Sequence, residues 1–285
     1  MEVSLAPKLM KDILMNNLAI ISDYNDFSKL YTTLSPAGPN IARLRINRDS
    51  SVEGSDGSLL TVPAPSLALR DTDDSEIYSN DCYLRVYLDT MQTAVFDSDA
   101  EEYTNMSSHF RDFSKPALDW FGGDKCGWMS SKAREKLRTE DPVAFATASK
   151  VKLYRHVYGT VRMVGAVDPS TGGTKDIDDV PFRLRLGPSN FMEIGHVIGG
   201  IVKQGVNPAS VELKIDFELK KRGSNKWFNL KYKPIMTNII KLDSDYQELL
   251  SDFAQLVKVE NEQILEKMRG NASDVFDEFD DVLEA

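Results

Sequence analysis

The 285-residue chain has few cysteines and no long apolar run. Its two cysteines, Cys82 and Cys126, cannot build the disulfide framework of a small secreted domain, so we expect a protein of the reducing cytoplasm. No apolar stretch is long enough to span a bilayer, so we expect no membrane partner. Charged residues interrupt the apolar ones near the N-terminus, which predicts an amphipathic helix from Pro7 to Ile21 rather than a signal peptide.

The sequence also lacks the common catalytic motifs. There is no glycine-rich phosphate loop, because the GGDK segment lacks the required spacing and the following hydroxyl. There is no Gly-x-Ser-x-Gly nucleophile motif. The three histidines are far apart, and a zinc site made of the two cysteines with His109 and His156 would lack the close ligand pairs of structural zinc sites. We therefore predict that the protein is not an enzyme and has no metal or other cofactor.

Four aspartates crowd one glycine-containing stretch and leave a nuclease or recombination enzyme as a third alternative. They are Asp168, Asp176, Asp178 and Asp179. Such carboxylates can hold a divalent cation. No acidic strand end lies nearby in the sequence, however, and a solvated loop is the ordinary role of such a run. DNA cleavage that depends on a divalent metal would identify the enzyme.

The net charge of −10 argues at first against a nucleic-acid partner. The charge is unevenly spread, because residues 271–285 contain six acidic side chains and no basic one, which leaves −4 for the rest. Other acids crowd the predicted loops at 71–76 and 97–102, whereas basic residues recur in the predicted strands. The overall charge therefore does not exclude a cationic surface.

A predicted β-hairpin from Val211 to Ile235 is the clearest local signal in the chain. Apolar and polar residues alternate on both sides of a basic turn, which is the pattern of two half-buried strands. Gly223 in this turn can take a positive φ. In the second strand, Trp227 shares a face with Lys231 and Lys233. This face can stack a base and hold phosphates, although the indole of a surface hairpin can equally cover a core edge.

Other stretches complete a fold that we predict to be mainly β with flanking helices, an α+β protein. Strands are predicted over 41–47, 82–88, 151–164 and 182–186. The stretch Leu59–Leu69 is at best an edge strand, because it contains Pro63 and Pro65. Helices are predicted over 130–137, 189–203 and 244–269, and a loop over 168–179.

The polar faces of these strands are made of cations and aromatic rings. Ammonium and guanidinium groups neutralise phosphates, and aromatic faces stack on unpaired bases for about 1–3 kcal/mol per base. A single tyrosine can equally cover a neighbouring element while its hydroxyl reaches water. We predict one continuous groove that binds nucleic acid through Arg43, Arg45, Tyr83, Arg85, Tyr87, Lys152, Tyr154, His156, Tyr158, Arg162, Arg183, Arg185, Lys221, Arg222, Trp227, Lys231 and Lys233.

The C-terminal segment, residues 271–285, has too little apolar mass for a core of its own, and we predict that it is disordered. Its carboxylates can occupy the cationic groove in competition with phosphate, and its phenylalanines can dock on partner proteins. A tail that only improves solubility is the alternative. The residues predicted to bind partners are Asp274, Phe276, Asp277, Glu278, Phe279, Asp280 and Asp281.

The order of these features resembles the single-stranded DNA-binding proteins of tailed bacteriophages. A helix, a strand, a basic turn and an aromatic strand ending in Tyr-Lys-Pro are followed by a helix and an acidic tail with phenylalanines. The resemblance covers residues 151–285 and, more loosely, 41–88. It implies an OB fold in which Tyr154, Tyr158, Trp227, Lys231 and Lys233 line the groove. It also implies a tail that recruits proteins of DNA replication, recombination and repair in the host cytoplasm.

We therefore predict an OB-like antiparallel barrel with insertions over residues 1–270 and an acidic tail over 271–285. The aromatic-rich segment 103–137 is an insertion without a counterpart in that resemblance. The protein would coat single-stranded DNA without strong sequence preference. The alternative is a structural or assembly protein of a virion, in which the same surfaces form subunit contacts, and large assemblies without DNA would favour it.

Overall fold

A computed structural model describes residues 41–53, 57–71 and 75–271, and the backbone alone of residues 272–283. The helix predicted from Pro7 to Ile21 lies outside these residues. The chain divides into two compact units. The first unit comprises the residues up to 88, then 157–185 and 192–255; the second comprises 89–156, 186–191 and the residues from 256 onward. Among the described helices, none combines the length and the apolar character needed to cross a bilayer.

The described residues form eleven strands and four helices, so the fold is mainly β with flanking helices, as the alternation predicts. The strands are β1 (Ala42–Asn47), β2 (Ser51–Glu53), β3 (Leu59–Thr61), β4 (Ser66–Arg70), β5 (Glu76–Ser79), β6 (Asp81–Asp97), β7 (Glu102–Met106), β8 (Val151–Asp168), β9 (Gly173–Leu186), β10 (Leu213–Arg222) and β11 (Asn225–Pro234). The helices are α1 (Ser131–Glu140), α2 (Pro142–Lys150), α3 (Phe191–Lys203) and α4 (Ser244–Leu283).

Five of these strands close into an OB-like barrel, which confirms the predicted architecture. Their order is β8-β5-β4-β1-β9, and β9 pairs back to β8. If every pair of neighbouring strands in a closed barrel were antiparallel, strand direction would alternate around the barrel, and the number of strands would have to be even. A five-stranded barrel therefore needs a parallel pair, and here β1 runs parallel to β9 with Leu44 opposite Leu184.

The barrel core is built by alternate residues of its strands. Leu44, Leu67, Phe182 and Leu184 point inward and are at most 3% exposed. Because side chains of a strand alternate between its two faces, the residues between them point outward. In the alternating stretches of the sequence, the apolar residues therefore face the inside of the barrel and the basic residues face the outside.

The same sheet extends beyond the barrel through β6 to the β10–β11 hairpin, in the order β11-β10-β6-β8. The predicted hairpin and the predicted strand over 151–164 are both confirmed. The strand predicted over 82–88 continues to Asp97. Its second half pairs with β7 in the second unit.

Two predictions about strand positions are wrong. The stretch Leu59–Leu69 was expected to give at best an edge strand, but β4 lies inside the barrel between β1 and β5. Both prolines precede β4, so every residue of this strand keeps its N–H for the ladder. Most of the loop predicted over 168–179 is strand as well, because β9 begins at Gly173 and leaves a short turn after β8.

The second unit contains two short helices, of which the sequence predicted only the first. The side chain of Ser130 caps α1 by accepting the N–H of Ala133. Asp141 caps α2 in the same way by accepting two backbone N–H groups. This unit has a separate small core of Met91, Phe110, Ala117 and Phe191.

The aromatic-rich insertion holds the second half of α4. Within the second unit, the backbone N–H of His109 donates to Asn261 Oδ1 over 2.6 Å. Lys267 Nζ lies 3.5 Å from the centre of the Trp120 ring, and Asn271 Nδ2 donates to the Trp120 carbonyl over 2.8 Å. The insertion, whose role the sequence did not reveal, is therefore a platform for this helix.

The helix α4 does not end near residue 269, as the glycine at position 270 suggested. Its backbone continues to Leu283. A single glycine inside a helix costs about 1 kcal/mol relative to alanine, which weakens a helix without stopping it. The side chains of residues 272–285 lie outside the described part of the chain, so the division into a binding domain and a partner-binding tail stays a prediction.

Candidate nucleic-acid interface

One face of the β10–β11 hairpin combines a tryptophan with cations. The register places Lys220 directly opposite Trp227 and Arg222 opposite Asn225, so the indole has a cationic side chain beside it across the hairpin. Trp227 is half-buried, and its Nε1–H donates to Asn229 Oδ1 over 2.9 Å. An aromatic ring with cations beside it can stack an unpaired base and hold the adjoining phosphate.

The hairpin joins the large sheet only at its base. Within the described residues, β10 pairs with β6 at Leu213 and Lys214 alone, and from Ile215 outward it pairs with β11. The apolar face is buried near the base, where Ile215 is 1% exposed, and opens toward the tip, where Leu219 is 45% exposed. Among the described residues, the outer half of the hairpin pairs only within itself, and the residues of its tip are exposed.

The hairpin tip has cations that no carboxylate neutralises in the described part of the chain. Lys221, Arg222 and Lys226 are exposed and form no ion pair there. The turn between the strands is tight because Gly223 adopts a φ of 62°, so these residues are held at one end of the ribbon. Lys226 was not among the predicted contacts, although its position beside the basic turn could have indicated it.

The predicted cations nearer the hairpin base are already paired. Lys231 Nζ lies 2.9 Å from Glu193 and 3.5 Å from Glu218, and Lys233 pairs with Asp216. The hydrogen bond from Lys231 to Glu193 raises the pKa of that lysine. A phosphate at these positions would have to displace carboxylates, so the tip is the better phosphate site.

The outer face of the barrel carries four further predicted arginines. Arg43 and Arg45 are exposed on β1, and Arg183 and Arg185 are half-buried on β9. Arg45 donates from Nε and Nη2 to the two oxygens of Glu76 over 2.9 and 2.6 Å. The barrel thus presents guanidinium groups on the side away from its core.

Glu76 is held by a second donor, the buried Tyr78, whose hydroxyl donates to Glu76 Oε2 over 2.5 Å. The hydrogen bonds from Arg45 lower the pKa of Glu76. Burial raises the pKa of Tyr78 to about 12. Glu76 therefore stays ionised, and Tyr78 stays protonated, over the whole range in which nucleic-acid binding is measured.

We expect the substitution Glu76→Gln to lower stability at neutral pH but not in acid. A carboxylate with a lowered folded pKa contributes stability above its ordinary pKa of about 4.3, and this contribution is lost as the pH falls through the lower folded pKa. Because Arg45 is half exposed, the effect at pH 7 is less than about 1 kcal/mol. Urea unfolding at pH 7, 5 and 3 measures it. A difference between the two proteins that stays constant down to pH 3 would contradict the assignment.

The predicted cations of β6 and β8 that lie in the first unit also have acidic partners. The guanidinium of Arg162 lies 3.9 Å from the centre of the Tyr83 ring, and its nitrogens donate to both oxygens of Glu212 over 2.9 and 3.1 Å. Arg85 donates to Asp179 over 2.7 Å. These residues form ion pairs of the fold rather than a free phosphate track.

Three predicted groove residues are wrong, because they lie in the interior. Tyr87 is 2% exposed, His156 is 5% exposed and Tyr158 is fully buried. Both tyrosines contact Phe253 of α4, with ring centres 5.9 and 5.8 Å apart. His156 packs against His109 in the second unit. The helix covers the sheet face that the sequence suggested was open, so the predicted trough is not continuous.

Two predicted residues lie at the start of β8, in the second unit. Lys152 is exposed, and its Nζ donates to the Ser149 carbonyl over 2.8 Å, while Tyr154 is half-buried. The side chains of the predicted partner-binding segment, residues 274–281, lie outside the described residues.

The described residues contain no group of three or more His, Cys, Asp or Glu side chains placed as metal ligands would be. Both cysteines are free thiols. Burial raises the pKa of Cys82 and of Cys126 to about 12, which favours the protonated thiol over the thiolate that zinc requires. The expectation of a protein without a metal stays a prediction.

Comparison with known proteins gave no match, since no protein family, no curated protein and no solved structure is significantly similar to this chain.

Proposed function

We propose that the protein binds single-stranded DNA without strong sequence preference, and that the outer half of the β10–β11 hairpin makes the contact. The observation that supports this most directly is the tip itself. Trp227 lies across the hairpin from Lys220, which pairs with Glu218, and Arg222 shares their face. Lys221 and Lys226 lie on the opposite face; with Arg222 they are exposed and form no ion pair among the described residues. Together these groups at the tip can hold a phosphate and a neighbouring base at once.

The preference for a single strand follows from the chemistry of stacking. An aromatic side chain can stack on a base only if that base is not enclosed in a duplex, and every base has a face that can stack. Lysine and arginine at the tip add attraction to phosphates that is independent of sequence. The expected partner is therefore an unpaired strand, bound with strong salt dependence.

We expect Lys221→Glu/Arg222→Glu to weaken the binding of an oligo(dT) and to reduce its salt dependence. Each lost phosphate contact lowers the slope of log K against log salt by about 0.7 for a single strand, so the double variant should lose about 1.4. Titration of the full chain with oligo(dT), followed by tryptophan fluorescence at several salt concentrations, gives both quantities. The substitution Trp227→Phe should remove the quenching that arises at the hairpin, because Trp227 is the tryptophan of β11.

A matched control has the same charge change on another surface. Lys136→Glu/Arg138→Glu reverses two exposed cations of α1 and should leave the slope close to that of the native protein. Absence of any oligo(dT) binding at low salt would refute the proposal. An unchanged titration of the Trp227→Phe variant would show that the hairpin is not the contact.

The recruitment of replication, recombination or repair proteins by residues 274–281 is proposed from their acidic and aromatic sequence alone. Comparing pull-downs by the full chain and by a chain ending at Gly270 tests it separately from DNA binding.

The alternative of a virion subunit stays a prediction from the sequence. Light scattering distinguishes the two functions, because ordered assemblies that form without DNA would support the structural protein.

A further inference from the structure

The β10–β11 hairpin carries exposed cations on both of its faces. Residues directly opposite each other in a hairpin share a face, and successive residues of a strand alternate between the two faces. Trp227 therefore lies on one face, which we call the tryptophan face. Lys221 lies directly opposite Lys226 on the other face, where Leu219 lies directly opposite Phe228. We call the second face, formed near the tip by these four residues, the lysine face.

The lysine face has no carboxylate of the hairpin beside its cations. The acidic residues of the two strands, Asp216 and Glu218, both lie on the tryptophan face and pair with lysines there. Lys221 and Lys226 are exposed and form no ion pair among the described residues. Their side chains start about 5 Å apart, and like charges at this spacing destabilise a hairpin. An anion bound between the two ammonium groups would relieve that repulsion.

An apolar surface adjoins the two lysines. Leu219, two residues before Lys221, is 45% exposed, and Phe228 is half-buried. Farther from the tip the same face is closed to solvent, since Ile215 is 1% exposed. Two ammonium groups beside a small apolar surface match the phosphate and the sugar or base of one nucleotide unit.

We infer that the lysine face binds a second phosphate of the same single strand, so that the strand passes from the tryptophan face around the hairpin tip. Side chains on opposite faces point away from each other, so one nucleotide unit cannot contact both Trp227 and the lysine pair. The two residues of the turn, Gly223 and Ser224, are exposed and small, so the turn does not block this path. This inference rests on the proposed function and adds a second contact that can be tested separately.

The test removes the charge of the lysine face alone. Lys221→Gln/Lys226→Gln in the full chain should lower the affinity for a fluorescein-labelled oligo(dT) at least about threefold at low salt and reduce the salt slope by about 0.7. The quenching that arises at Trp227 should persist at saturation, because this residue lies on the other face. Lys132→Gln/Lys136→Gln makes the same change at two exposed residues of α1 and should alter neither the affinity nor the slope.

The apolar part of the lysine face is tested by Leu219→Ala. This substitution should lower the affinity a few-fold and leave the salt slope close to that of the native protein, because it removes a contact without charge. If the double lysine variant does not fold, as judged by its melting curve, the single variants Lys221→Gln and Lys226→Gln test the same site.

The outcomes separate this inference from the proposed function. Native affinity and slope in the double lysine variant would overturn the inference while the function stands. A native stoichiometry of two oligonucleotides per chain that falls to one in this variant would show that separate strands occupy the two faces, and would overturn the path around the tip. Unchanged oligo(dT) binding with loss of polyglutamate binding would overturn the inference by assigning the face to an acidic protein segment. If the native chain does not bind oligo(dT), the proposed function and the inference both fail.

Discussion

Replacing Gly159 by alanine should lower the free energy of unfolding by about 3 kcal/mol or more, because a Cβ at this position has no space. The atom would overlap the carbonyl oxygen of Arg85 and would lie 2.9 Å from its carbonyl carbon and 3.2 Å from the Cα of Val86. These are backbone atoms of the neighbouring β6, so no side chain can rotate away. The strands would have to separate where β6 and β8 run side by side at the centre of the large sheet.

Urea unfolding and thermal unfolding both measure this loss. For a chain of this size, 3 kcal/mol corresponds to a fall in Tm of roughly 6–12 °C. Gly199→Ala is the matched control, because Gly199 lies inside α3 with nothing within 4 Å of the added Cβ. Alanine there should stabilise the helix by about 0.5–1 kcal/mol. A loss below about 1 kcal/mol for Gly159→Ala would mean that β6 and β8 do not approach each other this closely.

The substitution Asp89→Ala should cost about 3 kcal/mol, because it leaves a largely buried guanidinium without its carboxylate. In the second unit, Arg155 donates to Asp89, and both side chains are about one-seventh exposed or less. The Arg155 guanidinium also lies 4.7 Å from the centre of the Phe191 ring. Without the Asp89 carboxylate, the Arg155 guanidinium is still buried, but the attraction that offset its loss of hydration is gone.

A double-mutant cycle distinguishes the pair from simple packing. Arg155→Met keeps an unbranched side chain that can pack on Phe191. The combination Asp89→Ala/Arg155→Met should therefore recover much of the stability that Asp89→Ala loses, because the buried Arg155 charge is gone and only Arg111, 3.9 Å from Asp89 in the native protein, still loses a carboxylate. Guanidinium unfolding of the native protein and of each variant gives the coupling energy. If the double variant is as unstable as Asp89→Ala, the ion pair is not the source of the loss.

The local parts of the fold were predictable because their signals lie within a few residues. The alternation from Val211 to Ile235 and the glycine at 223 define two strands and a tight turn without help from distant residues. The sequence also indicates a helix cap at the start of α1, where Ser130 and Ser131 are both candidates and Ser130 is the cap. The candidate residues at the hairpin tip were accessible to prediction for the same reason.

The candidate site on the barrel could be predicted only in part. The alternation identified Arg43 and Arg183 as outward-facing residues, but not that they lie beside each other. Arg70, which lies directly opposite Arg43 on β4, was missed, because it follows the stretch 59–69 that was expected to be at best an edge strand. Register between strands that are far apart in sequence depends on barrel closure, which no local pattern encodes.

By itself, the sequence determined which residues form strands, which side of each strand is apolar, and where the basic turn lies, because period and turn chemistry are local properties. Only the tertiary structure decided which polar faces reach solvent. The helix α4 covers Tyr87 and Tyr158. Tyrosines on the polar side of a strand are therefore exposed where nothing packs on that side and buried where a helix does. Ion pairs such as Arg162 with Glu212 also neutralise cations that the sequence analysis treated as available for phosphate. The acidic partner is distant in the sequence and meets the arginine only when the chain folds.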